Sequence, residues 1–363
     1  MSLPLVERVS ARRFFLYRRT LRRIGQPAAR DSEEDLIRLL LCPRSAFAAR
    51  TRRIPVVVRD SGGRALATAV WMVAEGLPDT LQIAFLDLAP EGGQQALSIL
   101  LDASRQHAAS LGLPQIVIGL NGHVNNGFGF ATKDAGQPCF GVPSNPAYYA
   151  DWLRPHVDHI QKMTSYAYDV GAFSFGRHAR VLPGLFRRYR FRAADFSDIR
   201  REIACYTALN NACFEGHPFY FTRTPAEDYE LFHSFRLFLK PEHFIVAMDG
   251  DRPVGFLLWY PDFDALVPPG GRLGLGALWR YRIRHQPIRR CKIAEIGVVP
   301  SHQHRGVALG MMAECFARIR DRFAICETGW ILDENEQSLS LNTRWLDAPA
   351  HTYEAYVIGS RVR

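Results

Sequence analysis

Apolar and polar positions along the chain predict two successive α/β units. Residues 54–58 and 65–73 are β-rich runs on either side of Ser61-Gly62-Gly63, a hairpin signal. Residues 82–88 read as a strand, and Gln94 to Leu111 carries apolar side chains at helical spacing through Ala96, Ile99, Leu100, Ala103 and Leu111. Pro114 to Leu120 reads as another strand and 121–147 as a loop region dense in Gly, Pro and Asn. Thr164 to Val170 then closes a first domain, 1–175.

The order repeats over 176–363. Tyr189 to Ala193 predicts a strand and Asp198 to Phe214 a helix, and Thr224-Pro225-Ala226-Glu227 is a capping box that opens another helix. His243 to Met248 and Pro253 to Tyr260 flank Asp249-Gly250-Asp251, a second hairpin. The Pro/Gly/Arg-rich connection 261–290 is long enough to act as a lid. Lys292 to Val299 predicts a strand, Gly306 to Arg320 a helix, Phe323 to Leu332 a strand, Glu336 to Leu346 a helix and Thr352 to Ile358 a last strand. The halves share an order of elements and not their residues. The expected fold is therefore α/β, two tandem domains, each a mixed, mostly antiparallel sheet flanked by helices.

Composition narrows the class. The 363 residues, 47% hydrophobic and 22% charged, suffice for two buried cores. No apolar run reaches the roughly 18 residues of a membrane span, and Met1 to Val9 holds Glu7 and Arg8 where a signal peptide needs apolar residues. A cytoplasmic protein is expected. The cysteines (Cys42, Cys139, Cys205, Cys213, Cys291, Cys315, Cys326) are scattered and never in C-x-x-C spacing, which argues against a disulfide framework and against a metal. Of the net charge of +9, an excess of eight lies in residues 1–60, with 14 Arg against 6 acids. The stripe Arg12, Arg13, Arg18, Arg19, Arg22, Arg23 reads either as a solvated face or as a contact for tRNA, an anionic membrane surface or an acyl carrier protein.

The chemistry concentrates in Ile293 to Arg320. A buried strand ends at Pro300, a short polar loop follows, and a helix opens at Gly306 with Leu309, Met312, Phe316 and Ile319 on its apolar face. Between Gln303 and Gly310, small residues leave room for phosphates to approach the unpaired amides of a helix N-terminus, where Arg305 adds a full charge.

Gln303-x-x-Gly306-x-Ala308, directly after a strand ending Val298-Val299-Pro300, resembles the acyl-CoA-binding motif of the GNAT superfamily of N-acetyltransferases. The likeness extends over 189–363, through the strand ending Trp330-Ile331-Leu332 and Asn335. The first half, with Asn145-Pro146-x-Tyr148-Tyr149, resembles the degenerate first domain of tandem-GNAT proteins. Its equivalent loop, Ala89 to Gln94, lacks the motif and carries Glu91 where phosphates would sit, so no CoA is expected there.

The resemblance implies acyl transfer from acetyl-CoA or another acyl-CoA to an amine. It implies donor contacts at Val298, Val299, Gln303, His304, Arg305, Gly306, Val307, Ala308, Gly310 and Asn335. Glu295, in an apolar strand where desolvation raises its pKa, is the candidate base; the alternative is a structural pair with an arginine from 278–290. Many family members place a tyrosine seven residues after the position of Asn335 as the acid, and here that residue is Asn342. Tyr353 and Tyr356 on the last strand are three apart and should face opposite ways.

The acceptor, a small-metabolite, amino-acid-like or lipid-like amine, is expected near Phe214, His217, Phe219 and Tyr220, with Glu215, Trp259 and Asp262 as substrate-binding candidates. Phe232, Phe235 and Phe238 read either as a greasy acceptor surface or as plain core. Two alternatives stay open: an aminoacyl-tRNA-dependent transferase, favoured by the basic first 60 residues, and a ligand-binding module without catalysis.

Overall fold

The computed structural model describes residues 5–25, 33–133, 139–142, 144–233 and 236–359. Its strands are β1 (Leu5–Arg8), β2 (Thr51–Arg59), β3 (Ala65–Ala74), β4 (Thr80–Leu88), β5 (Gln115–Ile118), β6 (Phe130–Ala131), β7 (His159–Ser165), β8 (Ala167–Asp169), β9 (Arg190–Ala193), β10 (Phe244–Asp249), β11 (Arg252–Pro261), β12 (Arg290–Val298), β13 (Ile325–Thr328), β14 (Ile331–Leu332) and β15 (His351–Ile358). The helices are α1 (Ala11–Gly25), α2 (Glu34–Leu41), α3 (Ala46–Ala49), α4 (Gly93–Ser110), α5 (Tyr148–Leu153), α6 (Leu182–Arg188), α7 (Ile199–Phe214), α8 (Pro225–His233), α9 (Leu275–Arg282), α10 (Val307–Ile319) and α11 (Glu336–Thr343).

The strands form two sheets. One runs β1-β2-β3-β4-β5-β15-β7-β14 with β6 beside β15, and the other runs β8-β13-β12-β11-β10-β9. Among the described residues only β4·β5 and β12·β13 are parallel, so both sheets are mixed and mostly antiparallel. Helix α4 buries Ala96, Leu97, Leu100 and Leu101 in the core of the first sheet, and α10 buries Met311, Met312, Cys315, Phe316 and Ile319 in that of the second.

The sheets do not follow a boundary at 175/176. The last strand, β15, lies in the first sheet between β5 and β7, pairing Tyr356 with both Ile118 and Ile160. Its own pattern explains this: Tyr353, Ala355 and Val357 face one apolar cluster while Tyr356 faces another, so both faces need cover and the strand must be internal. In exchange, the expected strand 164–170 divides at Tyr166. Its second part, β8, crosses to pair with β13 of the second sheet. The run 323–332 likewise divides at Gly329–Trp330, and β14 pairs with β7 in the first sheet. A continuous apolar run carries no mark of a change of partner.

Candidate functional site

The place where the chain changes sheets opens a cleft. Strand β12 pairs with β13 from Arg290 to Ile293, against Ile325 to Thr328, and beyond Ala294 that edge has no strand partner among the described residues. On its other edge Leu258 faces Glu295 and Trp259 faces Ile293, so Ala294 is an extra, bulged residue. The bulge shifts the alternation by one and brings Lys292 and Glu295 to the same face. A cleft of about 180 Å³ lies there, lined by both of them and by Tyr260, His217, Tyr220, Trp330, Asn335 and Asn342. Val124, Asn125, Gly127 and Gly141 of the first half complete its wall.

Glu295 is held by α7. Tyr206 Oη and Asn210 Nδ2, one turn apart, each donate to Glu295 Oε2 at 2.8 Å. Oε1 takes no hydrogen bond from a described residue and is left for the cleft. Burial pushes the carboxyl up to about 7, against the opposing pull of the Tyr206 hydrogen bond and the Arg223 charge. Arg223 is itself buried and paired with Asp228 at 2.8 Å. No arginine from 278–290 pairs with Glu295, so the alternative structural partner is not the one found.

The first half reaches this network. Asn125 Nδ2 donates to Asn210 Oδ1 at 3.0 Å, and Tyr220 Oη donates to the same oxygen at 2.9 Å. His123 fixes Asn125: its Nδ1 accepts from the Asn125 amide at 3.1 Å and its Nε2 donates to the Phe221 carbonyl at 2.9 Å. Burial pushes the His123 imidazole well below its ordinary range, so it stays neutral as those two bonds require.

The motif turn has a distinct shape. His304 (φ 59°) and Gly306 (φ 80°) are left-handed, and Gly306 caps α10. Among the described residues, the amides of His304 to Leu309 donate to no acceptor. Arg305 is exposed beside them. Successive amides in such a turn form an anion-binding concavity. Gln303 turns its side-chain amide back to the Val298 carbonyl at 3.3 Å, and His304 reaches Gln337 at 3.2 Å. The Val299 amide bonds to Val254 of β11 at 3.0 Å. By alternation the backbone of Val298, not of Val299, faces the open edge. Gly310 has a packing reason: a Cβ there would stand 2.3 Å from Phe191. The corresponding turn in the first half, before α4, lies under α5, with the Tyr148 hydroxyl on the Leu88 carbonyl at 3.1 Å and Trp152 against Gly93.

Several expected residues lie elsewhere. Trp259 is fully buried on the opposite face, its indole donating to the Glu242 carbonyl at 2.8 Å. The bulge, invisible in sequence, is what separates it from the cleft. Asp262 is buried in an ion pair with Arg290 at 2.6 Å and accepts the Phe140 amide, so it serves the fold. Glu215 is exposed at the end of α7 and outside the cleft lining. Phe232 and Phe238 belong to the core, and Phe235 lies outside the described residues. No residue of 261–290 lines the cleft, so that connection is not its lid.

Asn335 caps α11 through the Ser338 amide at 3.0 Å and lines the cleft. Asn342 accepts the Tyr168 hydroxyl at 2.8 Å. Tyr353 and Tyr356 face opposite clusters, neither at the cleft. Of the arginine stripe, Arg18 and Arg22 pair with Glu33 and Asp87, Arg19 with Glu34 and Arg13 with Glu7, while Arg12 and Arg23 stay exposed. Among the described residues, no cluster of His, Cys, Asp or Glu is arranged to hold a metal ion.

Residues 206–346 match the acetyltransferase (GNAT) family. That segment includes β14 and ends just before β15. Three solved structures share the fold. A glucosamine N-acetyltransferase region of a fungal multi-domain β-N-acetylglucosaminidase is 14% identical with a TM-score of 0.57, over 99% of this chain and 38% of that one. A tandem GNAT protein from the clavulanic acid biosynthesis pathway is 12% identical with a TM-score of 0.57, over 99% and 100%. A GNAT protein from Sphaerobacter thermophilus is 12% identical with a TM-score of 0.52, over 99% and 96%. This chain thus spans little more than a third of the fungal protein and the full length of the tandem one. No curated protein matches the sequence.

Proposed function

From the match of residues 206–346 to the GNAT family we propose that the chain transfers an acyl group from acyl-CoA to the amine of a small acceptor, with Glu295 as general base. The observation that carries the reading is the open edge of β12 running from Glu295 to the free amides before α10. An extended pantetheine arm fits along such an edge, with its diphosphate on the amides of 304–309 and Arg305. The donor supplies the thioester; the protein supplies position and proton transfer.

The attacking amine must be neutral. Glu295 lines the cleft and Tyr206 and Asn210 hold its Oε2, so with Oε1 taken by no described donor the carboxylate takes the amine proton without losing its place. A pKa of about 7 suits that task at neutral pH. Asn342 donates no acidic proton, and the thiolate leaves without one from that position. A cleft of about 180 Å³ favours a compact amine over a long chain. The tRNA-dependent alternative draws on the arginine stripe, and four of those six arginines are engaged in intramolecular pairs.

Thermal unfolding with acetyl-CoA tests the donor site. Stabilisation is expected, reduced in Arg305→Ala and lost in Arg305→Ala/Gly306→Glu, with the unliganded midpoints recorded as controls. A wild-type midpoint unmoved by acetyl-CoA overturns the reading. Thiol release across a panel of small amines then identifies the acceptor.

A further inference from the structure

Helix α9 is apolar on two faces and the fold covers one of them. Ala277, Leu278 and Tyr281 pack inward, Tyr281 against Phe238 and Phe263. On the outer face Leu275, Trp279 and Ile283 repeat every four residues and are 83%, 48% and 66% exposed. Leu237, also exposed, adjoins them where Arg282 donates to its carbonyl at 2.7 Å. Single exposed apolar residues are ordinary, but a helical row of large ones has a partner.

The charge around the row says which partner. Residues 265–289 contain five arginines and no acid. Arg282, Arg284 and Arg289 are exposed with no carboxylate partner among the described residues, Arg272 pairs with Asp35 at 3.4 Å, and the Arg284 guanidinium lies 4.6 Å from the centre of the Trp279 ring. We propose that this face docks on an anionic lipid surface, with Leu275, Trp279 and Ile283 entering the headgroup boundary and the arginines meeting lipid phosphates. Tryptophan and arginine both favour that boundary, and apolar insertion adds to electrostatic attraction. A nucleic acid would match the charge and leave the apolar row wet. A second copy related by a two-fold axis would set arginines against arginines. No helix among the described residues is long and apolar enough to cross a membrane, and the eight residues of α9 would lie in the surface plane.

Co-sedimentation of the full chain with vesicles tests this. Binding is expected to phosphatidylcholine vesicles carrying about 30% phosphatidylglycerol and not to phosphatidylcholine alone, weakening as salt rises from about 0.05 M to about 0.5 M. Leu275→Ser/Trp279→Ser/Ile283→Ser should lower the partition coefficient at least about tenfold. Arg284→Gln/Arg289→Gln should lower it for acidic vesicles by a smaller factor, and both variants should keep the wild-type thermal midpoint. No sedimentation with acidic vesicles at low salt overturns the proposal, as does equal binding by the triple variant. A wild-type dimer that the triple variant turns into a monomer assigns the face to a second copy and overturns it too.

Discussion

Replacing Glu295 by Gln should weaken catalysis and strengthen the fold, and the two effects share one cause. In the folded chain burial raises the carboxyl from its ordinary 4.5 to about 7. Between those values the folded state holds a proton that the unfolded state has lost, so stability falls as pH rises through that window and stays low above it. At about 1.4 kcal/mol per unit, the cost of the buried charge reaches about 3 kcal/mol above pH 7. Gln keeps an oxygen for the Tyr206 and Asn210 donors and carries no charge. Urea unfolding should therefore give equal stabilities for Glu295→Gln and wild type near pH 4, and a variant more stable by about 3 kcal/mol near pH 8. Thiol release with a competent amine should fall by about 10² to 10⁴-fold, and the wild-type rate should climb with pH to a plateau above about 7. A stability difference that does not change with pH would refute the reasoning, because the carboxyl would then not be raised and would be a poor base at neutral pH.

Other consequences follow from the same contacts. Asn125→Ala, which loosens Asn210 from the far side of the cleft, should lower turnover by about tenfold while leaving acetyl-CoA stabilisation unchanged; kcat and thermal shift read the two effects separately. Asp228→Ala strips the buried Arg223 of its partner and should cost about 3–5 kcal/mol in urea unfolding. Gly310→Ala drives a methyl to 2.3 Å from Phe191 and should cost about 1–3 kcal/mol, partly recovered when combined with Phe191→Leu. A chain ending at Ala350 loses β15, and circular dichroism and soluble yield should show a first sheet that no longer assembles, because β5 and β7 then meet no central strand.

Much of the fold is legible in the sequence because hydrophobic period and turn chemistry are local. The hairpin at Ser61-Gly62-Gly63, the α4 and α10 faces and the α/β class all come from windows of a few residues. Pairing partners are not local, and the last strand shows it: His351–Ile358 reads as the end of the second half, yet its two apolar faces require the middle of the first sheet. At the site, an acidic residue in an apolar strand was enough to single out Glu295. Lys292 stood in the same strand as a second buried charge, and Tyr206 and Asn210 stood one turn apart on α7. What hid their convergence was the bulge at Ala294, which moves Glu295 onto the face of Lys292 and leaves Trp259 in the core.

The strand exchange also accounts for the place of the cleft. If β13 continued straight into the last strand of its own sheet, the edge of β12 beyond Ala294 would be covered and no arm could lie along it. Instead the chain turns at Gly329–Trp330 toward β7, and the space it vacates is walled by Val124, Asn125 and Gly127 of the first half. The first half thereby braces the proposed site without a motif of its own: its α4 turn is packed under α5, while its 124–127 loop, held by His123, braces the residues that hold Glu295. Detaching the halves would remove the Asn125 hydrogen bond and leave Asn210 held by Tyr220 and Tyr206, so the grip on the Glu295 carboxyl is braced in part by a side chain 170 positions upstream of it.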